Sequence, residues 1–154
     1  MAMKSLSQPA SVQGLRDRLH TVSAQSTRRW GTMTPNQMVC HLNDSFLIVM
    51  GEKPAEPRVT LVRRTVLKWY ALYVPIHWPQ GVNTMPEANQ QRGGTKPVDF
   101  ERDRDQLVQT MTRFVAARRD FEWHPHPMFD RMSEREWMRW GYLHVDHHLR
   151  QFGV

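Results

Sequence analysis

The sequence predicts an all-α fold, a four-helix bundle with one long irregular crossover loop. Three observations carry that prediction. Apolar residues recur three and four apart in several separate stretches, the period of a helix with one buried face. Two of those stretches open on helix-start signals, Thr34-Pro35 and Ser133 with Glu136 three residues on. Between the third and fourth stretches, Pro75 to Pro97 holds four prolines and three glycines, so it joins helices without forming one.

The elements follow in order. Residues 1–10 read as a flexible N-terminal tail, and 11–154 as a single helical domain. Val12, Leu15, Leu19 and Val22 share a helical face, which extends a first helix from Ser11 to about Gln25. Thr34 caps a second helix with Pro35 in its first turn, and Gly51 stops it after Met50. Glu52 to Pro57 is a linker. Thr60 to Val74 suits a third helix, although its β-branched and aromatic content also suits a strand. Asp99 begins a fourth helix, with Leu107, Val108, Met111, Phe114 and Val115 on one side as far as about Arg118. Trp123 to Pro127 is extended, because a residue before proline avoids the helical region. Ser133 caps the last helix, which runs to Phe152.

Composition narrows the function classes. The chain has one cysteine, Cys40, so no intrachain disulfide forms and no oxidising compartment is needed. No stretch has the length and apolarity of a membrane span, and the first residues lack a signal-peptide core. These features lead to the expectation of a cytoplasmic protein without a membrane partner. The net charge is +6, yet the basic residues are scattered and several neighbour acids, as in Arg102-Asp103-Arg104-Asp105. That pattern argues for solvated helix faces and against a nucleic-acid partner. Asp103, Asp105, Glu134 and Glu136 read as solvated or capping groups.

The residues that could carry chemistry are histidines. On a wheel of ~100° per residue, His144 and His148 lie about 40° apart on the last helix. They share a face with Trp137, Trp140, Gly141 and Gln151. His147 sits at the edge of that face, and Asp146 points away. On the second helix His41 points inward beside Gln37 and Ser45, with Asp44 at one edge and Cys40 about 100° off. Three inward imidazoles from two helices would be costly to bury unless something binds them. A divalent metal does so, and three protein ligands leave positions for water or substrate. Gln151, Gln37 and Asp44 are candidates to orient such a centre, with His147, His126 and Trp137 as further pocket residues. There is no phosphate-binding glycine loop and no serine nucleophile motif.

Four segments also resemble a known family. They are Trp30 through Met38 to His41-Leu42, then Trp78-Pro79-Gln80-Gly81-Val82-Asn83-Thr84, then Gly93-Gly94-Thr95-Lys96-Pro97-Val98-Asp99-Phe100, and lastly His126-Pro127-Met128-Phe129 through Trp137 to His144-Val145-Asp146-His147-His148-Leu149-Arg150-Gln151-Phe152. The sequence resembles the DinB/YfiT-like metalloenzymes, and within them the branch called domain of unknown function 1569. The resemblance implies a four-helix bundle, often dimeric, that holds nickel, zinc or iron on His41, His144 and His148. It also implies thiol transfer or isomerisation of small acids for some members of the wider superfamily. Asp130 departs from the pattern, since glycine is expected after Phe129. The function expected from residues and resemblance together is a metal-dependent enzyme acting on a small molecule, by thiol transfer or hydrolysis. The alternative is a non-catalytic small-molecule or metal-binding module on the same bundle.

Overall fold

The structure is a computed structural model that describes residues 3–154. Among the described residues it is all helix, turn and loop, with one isolated backbone bridge between His126 and Asp130. The helices are α1 (Pro9–Thr21), α2 (Pro35–Val49), α3 (Lys68–Tyr73), α4 (Phe100–Phe114) and α5 (Glu134–Gln151). None of them is long and apolar enough to cross a membrane.

The local signals act where the sequence puts them. Thr34 accepts the Gln37 N–H (3.2 Å) while the Gln37 side chain accepts the Thr34 N–H (2.9 Å). Ser133 and Glu136 make the same reciprocal pair at the start of α5. Asp99 caps α4 by accepting the Arg102 N–H at 3.0 Å. The first and fourth helices end four residues before the expected points, at Thr21 and Phe114.

Helix α2 is central. Every residue from Met38 to Phe46 is buried, with α4 and α5 packed beside it. Asp103 is buried in the seam with α4, not solvated as the charge pattern suggests. It accepts from Val98 N–H (2.9 Å), Asn36 Nδ2 (3.3 Å) and Cys40 Sγ (3.6 Å). Burial and this carboxylate push the Cys40 thiol up to about 12, so it stays protonated and unreactive. An aromatic chain runs through the core, from Phe46 and Phe114 (4.7 Å between centroids) through Trp123 to Trp137, stacked at 5.2 Å.

Two stretches differ from the sequence reading. The tail expected over 1–10 is not loose in its described part, since Leu6 is buried and its N–H donates to the Met138 carbonyl at 2.9 Å. Gly141 makes room for it, because a Cβ there would lie 2.6 Å from Leu6 Cδ1. Burying one leucine contributes about 1.5–3 kcal/mol toward holding this segment on α5. Residues 1 and 2 lie outside the described residues. The third segment is helical, as one of its two readings had it, but Arg63–Leu67 winds as a π-helix before α3. Leu72 of α3 is buried, whereas Leu61, Val62, Val66 and Trp69 are exposed.

The turn at Phe129-Asp130 keeps the shape that glycine would give it. Asp130 has φ 63°, the one positive value outside glycine among the described residues. Its N–H and carbonyl pair with the His126 carbonyl (2.9 Å) and N–H (3.0 Å), which close the turn. Asp tolerates this region better than most residues, and a β-branched side chain does not. Asp130→Val is therefore expected to destabilise the fold by about 1–2 kcal/mol, while Asp130→Gly is neutral or stabilising by up to ~1 kcal/mol. Urea denaturation of both variants checks this. A Val variant as stable as the Gly variant would contradict the strained-turn account.

Candidate metal centre

Helices α2 and α5 bring His41, His144 and His148 together. One ring nitrogen of each lies within 4.8 Å of the other two. The hydrogen bonds around the rings decide which nitrogens face inward. His41 Nδ1 donates to the Ala88 carbonyl at 2.8 Å, which leaves its Nε2 as a bare acceptor. His148 Nδ1 donates to Gln151 Oε1 at 2.9 Å, with the same result. Gln151 is held in turn, since its Nε2 donates to the Trp30 carbonyl at 3.0 Å. His41 Nε2 and His144 Nε2 are 3.1 Å apart, so one proton lies between them, on His144. His144 Nδ1 is buried without a partner and can take that proton, which frees all three inward lone pairs. Three neutral imidazole nitrogens on one point, two of them fixed by carbonyl-type acceptors, are a donor set that fits a divalent ion such as zinc, nickel or iron.

Burial sets the protonation state. His144 and His148 lie well below the ordinary imidazole value, first through loss of solvent and then through repulsion by neighbouring histidines. His41 is lowered by burial despite its bond to Ala88. All three are therefore neutral at pH 7, the form that can ligate.

The histidines form part of the wall of a cavity of about 260 Å³. The irregular stretch from Pro75 to Pro97 supplies another part of the wall, through Trp78, Val82, Thr84, Met85 and Ala88. Trp78 is fixed by its indole N–H, which donates to the Ala71 carbonyl at 2.8 Å, and its ring lies 5.8 Å from that of His144. Phe129, Trp140 and Ile48 line the cavity too.

The remaining candidates fall in different places. His126 and His147 line the cavity. His126 Nδ1 accepts from the Met128 and Phe129 N–H groups (3.1 and 3.2 Å), so its proton sits on Nε2. His147 is partly buried, edge-on to Trp30 at 5.9 Å. Gln37 is not in the cavity wall, because the capping box at the start of α2 engages its side chain. The Thr-x-x-Gln spacing signals that use. Trp137 is in the aromatic core behind Trp140, its ring 5.9 Å away and nearly perpendicular. Asp44 turns away from the cavity, pairing with Lys53 (2.9 Å) and accepting from Gln90 Nε2 (3.0 Å) and from the N–H (2.8 Å) and hydroxyl (2.6 Å) of Thr95. It thereby anchors the loop whose Ala88 carbonyl orients His41. The Trp30 and Ala88 carbonyls escape a reading by side chain, since any residue type could present them. Asp146 pairs with Arg18 at 2.6 Å and does not line the cavity.

His126 gives the site a pH signature separate from any ligand role. Burial pushes its imidazole down to about 3, from an ordinary 6.5. The unfolded chain therefore takes up this proton first, and folding stability falls as pH drops below about 6.5 and on toward 3. His126→Asn keeps an acceptor for the two N–H groups and removes the titration. The variant is expected to lose up to one proton's worth of slope in stability against pH between 6 and 4, about 1.4 kcal/mol per pH unit. Urea titrations of metal-free protein across that range check it, and an unchanged slope would contradict it.

Comparison with known proteins adds one match. A family model described as protein of unknown function (DUF1569) matches residues 4–153. No curated protein and no solved structure matches the chain. The matched span runs from before α1 to beyond α5 and contains all three clustered histidines, so the chain belongs to the DUF1569 family of proteins of unknown function.

Proposed function

We propose that this protein is a metal-dependent enzyme of the DinB/YfiT-like kind, built on a bundle of its four long helices and acting on a small molecule by hydrolysis or thiol transfer. The observation that carries the reading is the convergence of His41, His144 and His148 on one wall of a cavity large enough for a small ligand. A divalent ion held there would supply Lewis acidity. The chain's own contributions are distinct. Ala88 and Gln151 hold two of the three rings in a single tautomer. His144 Nδ1 stores the proton that its Nε2 releases. Trp78, Trp140 and Phe129 give the cavity an apolar side. His147 also stands at the wall, partly buried, and is the candidate for moving a proton to or from a bound ligand.

Protein purified without an affinity tag or chelator is expected to carry about one divalent ion per chain, and His144→Ala close to none, by inductively coupled plasma mass spectrometry. Equal, negligible metal in both would remove the metal reading. Turnover of esters, amides or thiol acceptors by the loaded protein, absent in His144→Ala, would separate an enzyme from a binding module.

The support of His148 yields a finer expectation. Gln151→Leu should weaken zinc binding by about 10–100-fold, as lost support of a ligating imidazole does. Gly31→Ala should act in the same direction, because its φ is 76° and a Cβ would lie 2.6 Å from Gln151 Nε2. Competition titration with a chromophoric chelator measures both, and wild-type affinity in Gln151→Leu would show that the amide does not hold the ring.

A further inference from the structure

The wall of the cavity lacks formal charge. Acidic and basic residues make up 23% of the sequence, yet no Asp, Glu, Lys or Arg lines the cavity among the described residues. The nearest acid along α2, Asp44, is turned to the far side and paired there. The non-histidine polar groups are few. Ser45 spends its hydroxyl on the His41 carbonyl at 2.8 Å, while Tyr70, Asn83 and Thr84 lie along the wall. The rest is Ile48, Trp78, Met85, Phe129, Trp140 and similar side chains.

An ionic group placed against such a wall loses its water and gains no counter-charge, which costs several kcal/mol. An apolar body gains roughly 25 cal/mol for each Å² it buries. Among the lining residues, the place where an ion would offset the charge of a ligand head group is the cluster of inward-facing imidazole nitrogens, once they hold a metal. We infer that the cavity selects an uncharged, largely apolar small molecule, aromatic or branched, carrying one metal-seeking head group at the three histidines. Substrates with charges spread along their length are excluded. The head-group half of this inference rests on the metal reading above, and the class of the body does not.

Calorimetric titration with three ligands of one shape separates the two halves. The ligands are 3-methylindole, indole-3-acetate and tryptamine, which are uncharged, anionic and cationic. On metal-free protein, 3-methylindole is expected to bind at least about tenfold more tightly than either charged ligand. On zinc-loaded protein indole-3-acetate should gain affinity through its carboxylate, and tryptamine should not. Met85→Arg, which puts a positive charge on the cavity wall, should turn the metal-free preference toward indole-3-acetate and so place the binding in this cavity. Equal or tighter binding of a charged ligand to metal-free wild type would overturn the inference, as would no binding of any of the three. Failure to retain zinc would sink the metal reading alone, because the metal-free comparison still decides the class of the body.

Discussion

A buried imidazole needs a partner for each ring nitrogen, and this constraint organises the molecule. His41 and His148 meet it with their outer nitrogens, through the Ala88 carbonyl and Gln151. Their inner nitrogens, with His144, have mainly each other. Every element near the centre serves that arrangement. Helix α2 is buried on all sides at His41, α5 carries the other two rings one turn apart, and Trp30 reaches in to hold Gln151. Polar groups left in this state are tolerated when a ligand or ion completes them.

The irregular stretch from Pro75 to Pro97 is the second determinant. A loop of that length is stable here because its polar groups are tied down at separate points. Trp78 is bound to Ala71 and Thr95 to Asp44, and Glu87 meets Arg58 at 3.0 Å. The loop therefore behaves as wall. It supplies both the carbonyl that orients His41 and much of the apolar surface facing the rings. Asp44 thus affects the centre from a distance, through the backbone that it anchors.

Much of this was legible in the residues. The helices, the Thr34 cap, the Ser133–Glu136 capping box and the i, i+4 pair His144 and His148 follow from helical period and cap chemistry, which are local. The inward direction of His41 followed from the same period. The role of Gln37 was misjudged because two local uses compete for one side chain, and the capping box is the nearer. Leu6 and Asp103 were misjudged because their partners are distant in sequence. A short apolar residue in a polar tail packs only if another helix leaves a gap, and Gly141 leaves one.

Sequence by itself determined the helical class, the helix starts, and which faces of α2 and α5 turn inward, because a regular helix converts spacing into direction. The positive φ of Asp130 was not among these: only the resemblance marked that position, as one where glycine is expected. Tertiary structure decided which backbone carbonyls meet His41 and Gln151, where Asp44 points, and that the long loop walls the cavity. Those outcomes depend on the path of an irregular chain, which has no period to read, and on contacts made only once α2, α5 and the loop are packed together.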